Sequence, residues 1–425
     1  MNWRSCSDKQ LTAPSHAEPR ILVATPYFPV PAGYGGGMSI ADQVEQLRDF
    51  GVDVNVMRFA PYAPYLLASL KGNWSMYRQT PGDYTHNGIS VHVERYITFP
   101  NNTTLLLASW QIERRMIRYA RKVHPDIIHA HHAIPVGIAA VKVGQKLNIP
   151  VVLTVHGSDL IVVPYIASRY HGRVCKALEE ATLVIGVSRG MKEVAMTLAP
   201  EADVVVHRTG IDLSAFTPEA VGAVAEKPDK SFTVLYLGRL IVDKGVHDLL
   251  EGFRSFVKQH EEIDAELIYV GNGCESDRLA ARAELDPSLC GRVKIMGPCN
   301  HRVVPSLMRM CDVVVIPSYY EGLGMVAVEA CASGKPVIAS SVGGLREVIA
   351  DGVNGIVVNP GSPAQIAEAL GTMWVDSSRR IEMGKAGRCV AEKEYDVRKN
   401  TLTLLGVYRK VAMRQTIGDQ QHYHG

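Results

Sequence analysis

Short runs of β-branched and aliphatic residues alternate with amphipathic stretches along almost the whole chain, and this alternation constrains the fold more than any other feature. Several runs are continuously apolar, which is typical of strands that helices cover on both faces of a parallel sheet. Because helical stretches follow most of the runs, the repeating unit is one strand and one helix. The candidate strands of the first half are Ile21–Thr25, Val52–Met57, Ile89–Val93, Ile127–Ala130, Val151–Val155, Leu183–Val187 and Val204–Val206.

The pattern breaks at Thr217–Lys230, a segment rich in proline, alanine and charge, and then restarts. A chain of 425 residues has room for two or three domains of about 150 residues each. We therefore predict an α/β protein of two facing, doubly wound Rossmann-like domains, with ligands bound in the cleft between them at the carboxyl ends of the strands. The candidate strands of the second half are Phe232–Leu237, Leu267–Val270, Val293–Met296, Val313–Ile316, Val337–Ala339 and Ile356–Val358.

The same pattern sets the predicted boundaries. We expect a flexible extension over 1–19, a first domain over 20–216, a linker over 217–230 and a second domain over 231–396. Residues 397–425 are predicted to form a C-terminal helix and a tail, because helical periodicity continues there with no strand after it. Whether that helix packs back on the first domain or stays on the second is left open by the sequence.

Charge and cysteine usage limit the partners and the compartment. The net charge is only +2, so no overall positive field attracts nucleic acid, and we expect no nucleic-acid partner. The eight cysteines contain no CxxC pair, which favours free thiols in a reducing compartment over a disulfide framework. Residues 1–19 lack the apolar core of a signal peptide, and the longest apolar stretch, Ala133–Val141, is too short to cross a bilayer. We expect a cytoplasmic protein.

The stretch Leu105–Val123 predicts a helix with an unusually basic surface. One stripe is apolar, whereas the cations Arg114, Arg115, Arg118, Arg121 and Lys122 occupy much of the rest. Two interpretations stay open: a solvated surface helix, or a contact with anionic lipid or a phosphate-bearing acceptor. Contact with lipid would place the protein at the periphery of the inner membrane face.

Two cations follow the first strand of the second half. Arg239 and Lys244 stand five residues apart in a loop between a strand and a helix. Arginine offers a planar fork of donors and lysine a compact charge, so together they are suited to holding a diphosphate. An ordinary pair of surface residues is the alternative.

Two glutamates follow a later strand of the same half. Glu321 lies in the turn after Val313–Ile316, and Glu329 lies within the next helix. The surrounding residues are almost wholly apolar, so Glu329 needs a pair of hydroxyls or a cation as its partner, and two vicinal ribose hydroxyls would serve. Gly322 and Gly324 leave backbone N–H groups at the helix start free for an anion or a sugar.

Glycines and histidines also follow strands of the first half. The loop Pro31–Met38 is glycine-rich but does not match a dinucleotide fingerprint; its N–H groups could bind an anion, or it is simply a tight turn. His156 comes directly after Val151–Val155 and is either a residue of the cleft or a core histidine. The histidines at 129, 131 and 132 have no acid or cysteine at metal-ligand spacing, and no DxD motif ends a strand, so we expect no metal.

Taken together, these motifs resemble family 4 of the retaining glycosyltransferases, which have the GT-B fold. The resemblance covers about 20–398 and is most specific in the second half. There the matching segments are Gly238-Arg239, Lys244-Gly245, the E-x7-E pair Glu321 and Glu329, Ala332–Ile338, Val342–Glu347 and Asp351–Gly355. The first half matches more loosely, through Gly35–Gly37, His156-Gly157 and Thr209–Asp212.

The resemblance implies a role for each matching residue. Glu321, His156, Arg239 and Lys244 would be catalytic, with Arg239 and Lys244 on the donor's diphosphate and Glu329 on its ribose. The first domain would bind the acceptor, with His131, Asp159 and Arg189 on that side, and the second would bind a nucleotide-sugar. The implied donor-binding set is Gly35, Gly36, Gly37, Gly238, Arg239, Lys244, Gly322, Leu323, Gly324, Met325 and Glu329.

The implied reaction is metal-independent transfer of a sugar, with retention, from a nucleotide-diphosphate sugar to an acceptor hydroxyl and with no cofactor. A UDP-sugar is favoured over a GDP-sugar, and the acceptor is a lipid carrier, a glycan or a small metabolite. Stabilising the departing diphosphate would then be the main electrostatic contribution. Thr209 departs from the family, which usually has Asn there. The alternatives are a sugar-nucleotide epimerase of the same architecture and a non-catalytic protein that binds nucleotide-sugar or a lipid surface.

Overall fold

The computed structural model describes residues 18–31, 36–62, 80–98, 104–162, 168–219 and 232–422. In these ranges the apolar runs form two sheets, one of eight strands from the first half and one of six from the second. Helices cover both sheets, so the prediction of two Rossmann-like α/β domains is confirmed. Residues 1–17 of the predicted extension and 220–230 of the predicted linker lie outside the described ranges, and so do residue 231 and Gly35.

The first sheet has the strand order β3-β4-β2-β1-β5-β6-β7-β8. Its strands are parallel except for β3, a short edge strand that pairs antiparallel with β4 and that the sequence did not indicate. The order reverses direction between β1 and β5, so loops at their carboxyl ends diverge and leave a crevice. The strands are β1 (Ile21–Thr25), β2 (Val54–Pro61), β3 (Tyr84–His86), β4 (Ile89–Tyr96), β5 (Ile127–His131), β6 (Val151–Val155), β7 (Leu183–Gly186) and β8 (Val204–Val206).

The second sheet is parallel throughout and has the order β11-β10-β9-β12-β13-β14. Its reversal falls between β9 and β12, which pair directly. The loops after these two strands carry the two cations and the first glutamate singled out above, so the topology brings them to one crevice. The strands are β9 (Phe232–Leu237), β10 (Ala265–Val270), β11 (Val293–Ile295), β12 (Val313–Ile316), β13 (Val337–Ser340) and β14 (Gly355–Val358).

Fourteen α-helices lie in the described ranges, and none of them has the length and hydropathy of a transmembrane segment. In chain order they are α1 (Met38–Asp49), α2 (Leu105–Val123), α3 (Ile138–Leu147), α4 (Ser158–Ile161), α5 (Ser168–Glu180), α6 (Arg189–Leu198), α7 (Val246–Gln259), α8 (Ser276–Leu285), α9 (Val304–Met310), α10 (Met325–Ala332), α11 (Leu345–Val348), α12 (Pro363–Val375), α13 (Ser377–Glu394) and α14 (Val397–His422).

The last helix, α14, packs on the first domain. Leu404, Leu405, Tyr408 and Val411 are buried in a core that they share with α1 and the first sheet. The hydroxyl of Tyr408 lies 2.5 Å from Nδ1 of His129 in the middle of β5. The chain returns to this domain beside Ile211, whose N–H donates to the carbonyl of Tyr395. Of the two packings that the sequence left open, α14 has the one on the first domain.

Candidate active site

A cavity of about 350 Å³ opens between the two domains, at the carboxyl ends of β6, β9 and β12. It contains nine of the residues that the sequence singled out: His156, Gly238, Arg239, Lys244, Gly322, Leu323, Gly324, Met325 and Glu321. The remaining lining residues are Ser39, Val187, Thr209, Tyr236, Leu237, Ile316, Ser318 and Val326. Among these, Thr209 is the position where the sequence departs from the family pattern, so this departure falls within the site.

Lys244 and Glu321 form an ion pair in the cavity wall. Nζ of Lys244 lies 2.5 Å from Oε1 of Glu321, and the hydroxyl of Ser318 donates to the same oxygen at 2.9 Å. Lys244 also lies over the ring of Tyr320, with Nζ 5.3 Å from its centroid. Both charged side chains are largely buried, so each neutralises a charge that would be costly alone. The lysine is thus held in place before any ligand arrives.

Arg239 is the exposed cation of this loop. It follows β9 directly, and its guanidinium forms no ion pair with any described residue. The hydroxyl of Tyr236 donates to the Arg239 carbonyl at 2.7 Å, which fixes the turn and leaves the side chain beside Tyr320. A fixed turn with a guanidinium that pairs with no carboxylate of the described residues is suited to binding an anion by a pair of parallel hydrogen bonds.

The turn that precedes α10 brings the two domains into contact. A side chain at Gly322 would place its Cβ 1.8 Å from the carbonyl oxygen of His156, so only glycine fits at this approach. The hydroxyl of Ser188 donates to the Gly322 carbonyl at 2.8 Å. Gly324 has a positive φ of 87° and begins α10, whose first N–H groups have no acceptor within the helix. These donors belong to Met325 and Val326, which line the cavity.

Glu329 lies one helical turn deeper and does not line the cavity. It is 8% exposed, and its Oε1 lies 2.9 Å from Nε2 of His301. The sequence predicted that this carboxylate needs hydroxyls or a cation, and here the partner is a histidine. Burial lowers the pKa of His301, but the hydrogen bond and charge of Glu329, with the charge of Asp42, outweigh it and raise that pKa.

His301 and Asp42 are residues that sequence reasoning missed. Asp42 lies on α1 of the first domain and approaches the pair His301–Glu329 of the second. Burial, with the charge of Glu45, raises the pKa of Asp42 to about 7. No motif marks either residue, and only the position of α1 across the cleft reveals them.

His156 is half-buried and follows β6 in a turn that Asp159 fixes. The Asp159 carboxylate accepts hydrogen bonds from the backbone N–H groups of Ala133 (2.9 Å), His156 (3.1 Å) and Gly157 (2.8 Å). Asp159 and His131 are each 2% exposed. The sequence assigned both to the acceptor side; in the structure they lie behind His156 and do not line the cavity.

The remaining expected residues lie around the cavity rather than in it. Arg189 is exposed at the start of α6, where the N–H of Gly190 donates to Glu347 of the second domain at 3.2 Å. Gly36 and Gly37 precede α1, and Gly37 has a φ of 98° with its backbone close against Tyr27. Gly35 is outside the described residues. Within those residues no three His, Cys, Asp or Glu side chains are grouped as metal ligands.

Comparison with known proteins places this geometry in a family. The model for glycosyl transferases group 1 matches residues 220–390, and that for glycosyltransferase family 4 matches residues 34–215. The chain is 28% identical over 404 residues to a Bacillus subtilis glycosyltransferase assigned to teichuronic acid biosynthesis, with 92% of this chain and 98% of that one covered. It is 30% identical over 324 residues to an uncharacterized glycosyltransferase of Methanocaldococcus jannaschii, with 72% and 81% covered.

Solved structures show the same architecture. HepE of Anabaena, solved in complex with UDP, superposes with a TM-score of 0.69 at 20% identity, over 92% of this chain and all of that one. At that identity the likeness concerns the fold alone. The matched halves, the two relatives and the shared architecture lead to one conclusion: the chain belongs to the group 1, family 4 glycosyltransferases with the GT-B fold.

Proposed function

We propose that this glycosyltransferase moves a hexose-type sugar from a UDP-sugar to an acceptor hydroxyl, with retention of configuration and without a metal. The observation that carries the proposal is the set Arg239, Lys244 and Glu321 at the reversal point of the second sheet, facing the cleft. Two cations and the start of α10 supply positive charge for a diphosphate. HepE, which shares the fold, has been solved with UDP and with UDP-glucose, which supports the choice of base.

The residues suggest how the bonds change. The bond between the anomeric carbon and the diphosphate oxygen breaks, and a bond from that carbon to the acceptor oxygen forms on the same face of the sugar. The proton of the acceptor hydroxyl passes to the departing diphosphate. Arg239 and Lys244 stabilise the negative charge that develops on the leaving group, which takes the place of a bridging cation. Glu321 lies against the sugar, and Glu329 holds the ribose when the donor displaces His301.

A thermal-shift panel tests the donor. UDP-, GDP-, ADP- and dTDP-sugars are compared at equal concentration, and a UDP-sugar is expected to give the largest rise in Tm because, at equal concentration, the ligand with the lowest Kd stabilises the folded state most. A larger rise with a GDP-sugar would redirect the assignment. Release of UDP from the stabilising donor then separates transfer from epimerisation, in which the nucleotide stays attached, and from binding without turnover. Turnover is expected to survive EDTA.

We further propose that the acceptor is presented at an anionic membrane surface, which α2 contacts. Its exposed face carries Leu107 and Trp110, 44% and 50% exposed, followed by the row Arg114, Arg118 and Arg121. The Arg114 guanidinium lies 5.0 Å from the Trp110 ring centroid. The one acid of the helix, Glu113, turns inward to Lys146 at 2.5 Å, so nothing on the helix offsets the cations on its outer face.

Co-sedimentation with vesicles tests the membrane contact. The protein is expected to sediment with vesicles of 30% phosphatidylglycerol in phosphatidylcholine and to stay in solution with phosphatidylcholine alone, with the difference lost at high salt. Arg114→Glu with Arg118→Glu should abolish sedimentation, whereas the exposed control Lys385→Glu on the second domain should not. Equal behaviour with both vesicle types would make α2 a solvated surface helix.

A further inference from the structure

Four histidines cluster at the first-domain wall of the cavity. His129 and His131 belong to β5, His132 follows it directly, and His156 follows the neighbouring strand β6. The His132 and His156 rings stack at a centroid distance of 4.5 Å, and the His129 and His131 rings lie 4.2 Å apart. Only His156 lines the cavity. The other three do not line it, so their arrangement needs a separate explanation.

The key contact joins two ring nitrogens. Nδ1 of His131 lies 3.0 Å from Nε2 of His156, a hydrogen-bond distance that requires a proton on one of them. Burial, together with the neighbouring imidazoles, holds the pKa of both histidines well below the ordinary value. Both rings are therefore neutral near pH 7, and each carries one N–H.

The second nitrogen of His131 decides which ring donates. Nε2 of His131 is fully buried and has no hydrogen-bond partner among the described residues. If it carried the proton, a buried N–H would be left without an acceptor, which folded proteins rarely tolerate. With the proton on Nδ1, the same ring makes its hydrogen bond and leaves only an unprotonated nitrogen without a partner. The buried side of His131 thus selects the Nδ1–H form.

The tautomer of His131 determines the tautomer of His156. Its Nε2 must accept from His131, so its own proton lies on Nδ1, which forms no hydrogen bond with a described residue. We propose that His131 is a positioning residue whose Nδ1–H fixes His156 as the Nδ1–H tautomer, so that His156 meets the sugar as a hydrogen-bond donor and not as a base. The proposal rests on the proposed function only for the identity of the occupant, a sugar oxygen.

Nitrogen NMR of ¹⁵N-histidine-labelled protein without ligand tests the tautomer directly. At pH 8 the His156 signals, assigned with His156→Gln, are expected to show a protonated Nδ1 and an unprotonated Nε2. His131→Asn is expected to keep this pattern, because the asparagine amide nitrogen replaces Nδ1 as the donor. His131→Leu removes the donor and should move the proton to Nε2. His207→Leu, at another buried histidine, is the control and should change nothing.

Kinetics supply the second readout. With UDP-glucose as the probe, His131→Leu is expected to lower the rate of UDP release about tenfold with little change in KM, and His131→Asn should restore most of it. A wild-type His156 that is protonated on Nε2, or one that His131→Leu leaves unchanged, would overturn the proposal. Failure to turn over UDP-glucose with the expected tautomer would count against the proposed donor and leave the role of His131 intact.

Discussion

Nζ of Lys244 lies 2.5 Å from Oε1 of Glu321, although the two residues are 77 positions apart in the chain. The pair exists because β9 and β12 are neighbours in the second sheet and both loops start at the same edge. A diphosphate that binds Lys244 must share it with Glu321 or displace it. The lysine and the glutamate are therefore expected to respond in opposite ways to substitution.

Lys244→Ala should weaken UDP binding. Loss of a charge-assisted hydrogen bond costs about 1.5–3 kcal/mol, which corresponds to a Kd about ten to a hundred times higher. Arg239→Ala should have an effect of similar size, because Arg239 lines the same cavity and belongs to the proposed diphosphate site. Isothermal titration calorimetry with UDP measures both, and Lys385→Ala, at an exposed lysine of the same domain, is the control. An unchanged Kd for UDP in the double variant Arg239→Ala/Lys244→Ala would show that these two cations do not bind the diphosphate.

Glu321→Gln should separate binding from turnover. The substitution frees Lys244 from its counter-charge, so UDP is expected to bind as tightly as before or more tightly. Turnover of the UDP-sugar should fall about a hundredfold or more, as when one group that stabilises a transition state is removed. Glu266→Gln breaks another pair with a lysine, Lys294, far from the cleft and serves as the control. Full activity in Glu321→Gln would show that the Glu321 carboxylate has no role in the reaction.

Asp42 should make stability fall as pH rises. Its folded pKa of about 7 lies above that of the unfolded chain, so the folded state holds a proton that the unfolded state has lost between about pH 4 and 7. The contribution of Asp42 to the free energy of unfolding is fully present below about pH 4, falls as pH rises, and is lost by about pH 7. Asp42→Asn should therefore stabilise the protein relative to wild type increasingly up to pH 7 and by a constant amount above it. Urea midpoints across this range measure the effect.

A control variant and a contradicting result complete the test of the Asp42 prediction. The control Asp49→Asn, at an exposed acid of the same helix, should track wild type at every pH. A difference between Asp42→Asn and wild type that stays constant from pH 4 to 8 would contradict a raised pKa for Asp42.

Tyr408→Phe should destabilise the protein although it removes a single oxygen. The Tyr408 hydroxyl lies 2.5 Å from Nδ1 of the buried His129, so its loss leaves that nitrogen without a partner. The expected cost is about 1–3 kcal/mol of unfolding free energy, measured by urea denaturation. Tyr319→Phe, which loses a 2.8 Å hydrogen bond to Asp248 on the surface, should cost about 0.5 kcal/mol or less. Equal costs would mean that α14 is not held by this contact.

The sequence predicted the sheets well because their strands are continuous apolar runs. It missed β3, since a strand of three residues at an edge has no such run. It located Arg239, Glu321 and His156 from their positions after strands. The sequence could not predict which side chains contact these residues, because such contacts depend on strand order and register. His131 contacts His156 because β5 and β6 pair in parallel, and no sequence motif connects His301 with Glu329.

The return of the chain to the first domain has a mechanical consequence. Among the residues that the structure describes, the chain leaves the first domain after Ile211 and returns to it at Asp396, and a β-bridge joins these two residues. The backbone at Gly210 lies so close to Val397 that an added Cβ would clash at 2.3 Å. We expect a motion that opens the cleft to rotate the domains about this contact, because sliding one domain past the other would break the bridge between Ile211 and Asp396. Such a rotation would separate the backbone of Gly322 from that of His156.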